Sequence, residues 1–302
     1  MSSDKSRSRG WLAAYVGVVL AWGSTFVFVE GALGFLTPVG VAFVRYALGA
    51  LFMVVYAAGR GFSFPRDGKL LAHLFVLSFV NNSLFGVLLA AAQTEVTSAL
   101  AGITAAIVPL MTLFFVGVIF RSERLELHQI IGLVIGFFGA LVVVGIWRGI
   151  GENPLWATLA LLGCTMCYGF SYPYAKKFII PSGIGPEVMA TTMLCWTTVT
   201  LLPFFIAFGL RGTPETVWQV TAALCMGFVS SGIAFLWNFT VIDRAGSLIA
   251  SSTMYFIPFV AIALGLIFLG EQVLWNQLVG ALIIVFAAIV GQGRMRRLST
   301  NS

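Results

Sequence analysis

The sequence predicts an all-α polytopic membrane protein with ten transmembrane helices, arranged as two inverted five-helix repeats with both termini in the cytoplasm. Three observations support this fold class. Hydrophobic residues make up 59% of the chain and charged residues only 9%, whereas soluble domains carry about 25% charged residues. A block of residues recurs about 149 positions later, and the basic residues concentrate in alternate loops.

The hydrophobic runs set the number of spans. A run of about 20 residues matches the roughly 30 Å thickness of the hydrocarbon core. Ten such runs cover roughly residues 11–30, 38–59, 69–91, 97–120, 126–147, 154–177, 186–209, 215–241, 246–270 and 272–292. The loops between the runs are too short to form a soluble domain. All four cysteines lie inside the runs, where packing as small apolar residues is expected.

The basic residues predict the orientation. Alternate loops, counted from the N-terminus, hold fourteen of the 17 basic residues, and the opposite loops hold only Arg148 and Arg211. By the positive-inside rule, both termini are therefore expected in the cytoplasm. The net charge of +6 follows from this topology, so no nucleic-acid partner is predicted.

The recurring block indicates a duplication. Pro109 returns as Pro258 after 149 residues, and Phe79-Val80 returns as Phe228-Val229 at the same distance. Glu123 returns as Glu271 after 148 residues. The predicted units span residues 11–147 and 154–292, flanked by cytoplasmic tails 1–10 and 293–302. Because each unit has an odd number of spans, the second copy must be inverted, as is typical of secondary transporters with a solute site near the midplane.

The residues that recur in both units include two prolines and two glutamates, whose structural roles can be predicted. Pro109 and Pro258 lie in the middle of their spans, where each removes a backbone hydrogen bond. They are interpreted either as hinges of a gate or as static kinks. Glu123 and Glu271 lie at helix ends, where capping and loop anchoring are expected.

These residues carry a resemblance to a known family. The two blocks are Ala101–Pro109–Glu123–Gln129–Gly132 and Ala250–Pro258–Glu271–Gln277–Gly280, and Trp22-Gly23-Ser24 and Pro38…Arg45 accompany them. Over nearly all of residues 11–292 the chain resembles the EamA-type family of the drug/metabolite transporter superfamily. The resemblance implies a carrier of the cytoplasmic membrane, and outward transport. Some members export amino acids and related metabolites, the YddG-like exporters being one branch, and others carry vitamins or nucleotide-like compounds.

Polar residues in the middle of spans are costly in lipid and usually face a cavity or the bundle interior. Asn81 and Asn82 lie near the centre of the third span, and their repeat counterparts are Ser230 and Ser231. Both a contact with solute or cavity water and a bond between helices would satisfy the two asparagines.

Arg45 lies about seven residues inside the second span, and Met193 stands roughly at its place in the second unit. It could pair with Glu30 or bind a substrate carboxylate with two parallel hydrogen bonds. Its role is therefore expected once in the molecule and not twice.

Aromatic residues with a polar edge suit an amphiphilic solute. The candidates for the site are Trp22, Phe85, Tyr168, Trp237 with its neighbour Asn238, and Tyr255.

The predicted function is a secondary transporter of a small amphiphilic metabolite, an amino acid or a close derivative being the first candidate. An importer or exchanger of a vitamin or nucleotide-like metabolite is the alternative, and a channel or an intramembrane enzyme are further ones. The sequence has neither GxxxxGK[ST] nor HExxH, so no cofactor, metal or catalytic residue is predicted. The expected partners are the solute and the lipid bilayer, and the expected state is a monomer or a weak homodimer.

Overall fold

The computed structural model describes residues 3–62, 64–120, 126–144, 154–245 and 252–291. In chain order its helices are α1 (3–33), α2 (Pro38–Arg60), α3 (Gly68–Ala92), α4 (Ser98–Ile119), α5 (Leu127–Val144), α6 (Leu155–Ser182), α7 (Pro186–Phe208), α8 (217–245), α9 (Thr253–Leu269) and α10 (Trp275–Gly291). All except α5, α9 and α10 are long and apolar enough to cross a membrane. Within the described ranges the only β-type pairing is an isolated bridge between Leu36 and Leu210.

The all-helical fold is therefore confirmed. The predicted runs 38–59 and 69–91 agree with α2 and α3 within a residue or two. One helix runs from Ser3 to Gly23, so most of the predicted tail, residues 1–10, is helical and continuous with the first span. Several parts of the sequence prediction lie outside the described residues. They are Glu123, the ends of the runs 126–147 and 246–270 that adjoin the gaps, and the tail 293–302.

Several helices depart from regular α geometry in matching places. A π-helical segment occupies Phe79–Leu84 in α3 and Phe228–Ile233 in α8, 149 residues later. A second pair occupies Phe115–Ile119 in α4 and Gly265–Leu269 in α9. The recurrence seen in the sequence thus extends to the backbone. Such π segments leave carbonyl groups free for partners outside the helix and often occur at functional sites.

The helices pack in a pattern that repeats along the chain. Helix α5 packs along α10, α2 packs along α7, and α4 packs against α9. Helix α1 contacts α8 and α9, while α6 contacts α3 and α4. Helix α2 also contacts α8, and α7 also contacts α3. The contacts of α1 with α8, α1 with α9 and α2 with α8 therefore each have a counterpart between the helices five places further along the chain.

The contact of α4 with α9 depends on a glycine. Gly102 lies so close to Ala261 that a β-carbon added at Gly102 would overlap the side chain of Ala261. Small residues of this kind let two membrane helices approach closely, since van der Waals packing drives their association. Gly102 therefore sets the distance between the two helices at their crossing.

Glu271 ties the loop after α9 to the start of α4. One carboxylate oxygen accepts a hydrogen bond from the backbone amide of Ser98 at 2.7 Å. The other accepts from Ser98 Oγ and from the amide of Ala99, both at 3.0 Å. The carboxylate thereby pairs amide groups that a helix N-terminus leaves unpaired. The predicted capping role of Glu271 is confirmed.

Replacing Gly102 by alanine is expected to destabilise the protein by about 1–3 kcal/mol, because the added methyl group overpacks the crossing of α4 and α9. The matched control is Gly59→Ala, since nothing lies within 4 Å of a β-carbon at Gly59 in α2. Alanine there is expected to leave stability unchanged or to raise it slightly, because alanine has the higher helix propensity. Thermal unfolding of the purified protein in detergent measures both variants, and equal midpoints would contradict the close contact.

Candidate functional site

A cavity lies in the centre of the helix bundle. Residues of α1, α2, α3, α4, α6 and α9 line it, and its empty volume is about 540 Å³, including the part that opens to solvent. The lining is mainly apolar. It consists of Trp22, Thr25, Phe26, Arg45, Phe85, Leu89, Ala101, Thr104, Ala105, Val108, Cys164, Thr165, Tyr168, Met254 and Ile257.

Arg45 supplies the positive charge of the cavity. Its side chain is buried, with 5% of its surface exposed, and its Nε donates a hydrogen bond to Ser231 Oγ at 3.1 Å. The guanidinium carbon lies 5.2 Å from the ring centroid of Tyr46 and 6.0 Å from that of Phe85. Contacts with ring faces and with a hydroxyl stabilise a buried cation in part, but they leave its charge uncompensated.

The ion pair between Arg45 and Glu30 that the sequence allowed is not formed. The described residues contain no carboxylate within 4.0 Å of the Arg45 guanidinium, and Glu30 Oε2 is buried without a hydrogen-bond partner. The guanidinium is therefore available to a solute.

Trp22 forms part of the wall where α1 meets α8. Its Nε1 donates to the backbone carbonyl of Ser230 at 3.2 Å, and Ser230 Oγ donates to the carbonyl of Ala21 at 2.8 Å. Ser230 belongs to the π segment Phe228–Ile233, whose geometry leaves its carbonyl free for the tryptophan. The two reciprocal bonds fix the indole ring at the cavity wall.

Phe85 and Tyr168 form the aromatic part of the opposite wall. Their rings meet edge to face, with centroids 4.6 Å apart and planes at 76°, an arrangement that aromatic pairs prefer. Cys164, one turn before Tyr168, directs its thiol to the carbonyl of Phe85 at 3.6 Å. These contacts hold α3 and α6 together beside Arg45.

Asn81 and Asn82 lie outside this lining, at the contact of α3 with α7. Asn82 Nδ2 donates to Thr197 Oγ1 at 3.1 Å, and Asn81 Nδ2 donates to Asn82 Oδ1 at 3.1 Å. Ser78 Oγ joins the same group, at 2.8 Å from Thr197 Oγ1 and 2.7 Å from the carbonyl of Met193. Of the two alternatives left open by the sequence, these contacts correspond to a bond between helices.

The remaining aromatic candidates also lie apart from the cavity lining. Trp237 has 36% of its surface exposed, and its ring lies against Gly17 of α1. Asn238 follows it in the helical segment Ala234–Ala245 and is not among the lining residues. Tyr255 is buried beside Met254, which does line the cavity. The cavity thus brings together Trp22, Arg45, Phe85 and Tyr168 from the predicted set.

The two prolines stand at equivalent breaks in α4 and α9. Pro109 is the second residue of the helix Val108–Phe114, which follows the 3₁₀ segment Ala105–Ile107. Pro258 is the second residue of Ile257–Leu264, which follows the 3₁₀ segment Ser252–Tyr255. A proline in the first turn of a helix removes no bond that the helix needs. The preceding residues Val108 and Ile257 both line the cavity.

Sequence reasoning missed the threonines of the lining. Thr25, Thr104 and Thr165 all contribute to the wall. One sequence signal was present for Thr104, because threonine stands five residues before each proline of the repeat, as Thr104 and Thr253, and both side chains are buried. Neither Thr25 nor Thr165 has a comparable signal in the repeat.

The chain matches the model of the EamA-like transporter family twice, over residues 9–145 and 155–290. The protein belongs to the EamA-like transporter family, and it is a multi-pass protein of the cell membrane.

Named relatives and a solved structure agree with this assignment. The probable terminal-alkyne amino-acid exporter of Streptantibioticus cattleyicolor is 28% identical over 297 residues, covering 95% of this chain and 96% of the relative. The uncharacterized inner membrane transporter YedA of Escherichia coli is 24% identical over 294 residues, covering 92% of this chain and 89% of the relative. One crystal structure of a protein 19% identical to this chain matches it with a TM-score of 0.69. The match covers 97% of this chain and 99% of the other, so the two share a fold.

Replacing Trp22 by phenylalanine is expected to lower the free energy of unfolding by about 1–3 kcal/mol, because the buried carbonyl of Ser230 loses its donor. The matched control is Trp237→Phe, which removes the same N–H group from a side chain with 36% of its surface exposed. Unfolding in a denaturant series, followed by circular dichroism, compares the two variants. Equal losses would show that the bond from Trp22 to Ser230 adds nothing to stability.

Proposed function

We propose that this protein is a secondary transporter that moves a small amphiphilic carboxylate, an amino acid or a close derivative, out of the cell by alternating access. The observation that carries the proposal is the central cavity, which combines one buried guanidinium with a largely apolar and aromatic wall. Such a wall accepts the hydrocarbon part of a solute, and a guanidinium edge binds a carboxylate with two parallel hydrogen bonds.

Alternating access requires two halves that can exchange conformations. We assign ten spans to the protein, in two inverted units over residues 11–147 and 154–292, with both termini in the cytoplasm. The matched π segments of α3 and α8 support this assignment, as does the recurrence of helix contacts five places along the chain. Halves related in this way hold the solute between them and open to either side in turn.

The cavity is built from both halves. Helices α1 to α4 supply most of its wall, and α6 and α9 supply Cys164, Thr165, Tyr168, Met254 and Ile257. A relative movement of the halves therefore changes the surroundings of a bound solute directly. The outward direction rests on the relative named as an exporter of an amino acid.

Saturable counterflow in proteoliposomes tests the proposal. Protein reconstituted with a panel of amino acids and their carboxylate derivatives inside the vesicles is expected to accumulate a labelled member from outside, and to reach a plateau with concentration. A carrier exchanges solutes in this way. Conductance across a planar bilayer without saturable exchange would contradict the carrier and favour a channel, and chemical conversion of a solute would favour an enzyme.

Filling the cavity is expected to abolish this exchange. Ala105→Phe places a ring in the wall of the cavity, whereas Ala58→Phe places the same ring on the exposed face of α2. The first variant is expected to lose at least about 90% of the exchange rate, on the order of 1.4 kcal/mol per tenfold loss, and the second is expected to keep it. Equal rates in the two variants, both folded by thermal unfolding, would place the transport path elsewhere.

A further inference from the structure

We infer that the cavity selects solutes of net negative charge: carboxylates whose amino group is absent or acylated bind there in preference to free amino acids. The inference rests on the proposed function and narrows its substrate class. It starts from the charges around the cavity. Arg45 is the one charged side chain of the lining, and no Asp or Glu of the described residues contributes to the wall.

Two carboxylates of the bundle, Glu271 and Glu30, are not part of the cavity lining. The two oxygens of Glu271 accept three hydrogen bonds from Ser98 and Ala99. Glu30 is not part of the lining and does not pair with Arg45. A solute ammonium in the cavity therefore meets no protein carboxylate among the described residues.

Arg45 presents its free edge to the solute. Arg45 Nε donates its hydrogen bond to Ser231 Oγ at 3.1 Å. Within the described part of the chain, neither terminal nitrogen of Arg45 has a hydrogen-bonded partner. The two terminal nitrogens suit the two oxygens of one carboxylate. The ammonium of a free amino acid, separated from its carboxylate by a single carbon, would lie close to the same guanidinium and be repelled by it.

The threonine hydroxyls of the wall suit a neutral donor. Thr104 Oγ1 donates to the carbonyl of Ala101 at 2.7 Å, and Thr165 Oγ1 donates to that of Leu162 at 2.8 Å. Thr25 Oγ1 donates to the carbonyl of Ala21 at 3.1 Å. Since each hydroxyl proton is used within its own helix, each hydroxyl retains only the capacity of a neutral acceptor for a solute. They match an amide N–H, but they do not neutralise a full positive charge.

Binding of two matched pairs tests the inference on the full-length protein in nanodiscs, by isothermal titration calorimetry. The first pair is 3-phenylpropionate and L-phenylalanine, and the second is 4-methylpentanoate and L-leucine; each pair differs only in the α-ammonium. The carboxylate is expected to bind at least about tenfold more tightly than the amino acid, because only the amino acid brings an unpaired positive charge. N-acetyl-L-phenylalanine is expected to bind like the carboxylates.

Two variants at one position sharpen the test. Thr104→Asp adds a carboxylate to the wall and Thr104→Asn adds a neutral group of similar size. The aspartate variant is expected to shift the ratio of affinities about tenfold or more toward the amino acid, whether the new carboxylate pairs with the ammonium or with Arg45. The asparagine variant is expected to leave the ratio within about twofold. Thermal unfolding verifies that both variants fold.

The outcomes separate this inference from the proposed function. If L-phenylalanine or L-leucine binds as tightly as its matched carboxylate and also shows saturable counterflow, the charge selection is wrong and the transporter stands. If neither 3-phenylpropionate nor 4-methylpentanoate binds to the protein, the inferred preference for carboxylates without an amino group is also wrong. If the carboxylates bind but no solute is exchanged, the binding site stands and the proposed transport is wrong.

Discussion

The structure depends on one constraint: inside the hydrocarbon, every backbone polar group must find its partner within the protein. A regular helix meets this requirement alone, and most of the chain does so. The departures include the π segments of α3, α4, α8 and α9, and side chains of neighbouring helices bond to backbone carbonyls at or beside two of them. Trp22 serves the carbonyl of Ser230, and Cys164 serves that of Phe85. The cavity lies among these departures, so the irregular backbone and the site have one origin.

The matching π segments of α3 and α8 show how two similar halves of the chain differ in charge at equivalent contacts. Ser231 stands 149 residues after Asn82, in the matching π segment. From α2, Arg45 reaches Ser231; from α7, Thr197 reaches Asn82. One contact therefore carries a cation and its counterpart carries only neutral groups. A second arginine at the counterpart would place two like charges in a medium of low dielectric, where they repel strongly. A single carboxylate needs only one partner, which fits the asymmetry.

The sequence was sufficient for the helices, since composition and run length specify them, and its 149-residue period pointed to the matching irregularities. It also pointed to Trp22, Arg45, Phe85 and Tyr168, polar or aromatic groups at mid-span that line one cavity in the structure. The sequence was not sufficient to predict which face of each helix lines the cavity. Helices apolar on all sides have no polar stripe to show their orientation. A π segment also adds a residue to one turn and so rotates the following face by about 100°. Trp237 follows such a segment, and its ring lies against α1 at Gly17, outside the cavity lining.

The breaks at Pro109 and Pro258 bear on the prediction that these prolines act as hinges. In α4 the break lies just after Gly102, where the backbone approaches Ala261 of α9 most closely. The crossing is tight and resists sliding, whereas a 3₁₀ segment followed by proline has weaker hydrogen bonding and no amide donor at the proline. Bending at the break is therefore expected to cost less free energy than separating the helices. Thr104, Ala105 and Val108, which line the cavity, belong to the break or adjoin it. A bend there would reshape the wall around a solute while the crossing of α4 and α9 stayed in place, which is the property that a hinge at Pro109 requires.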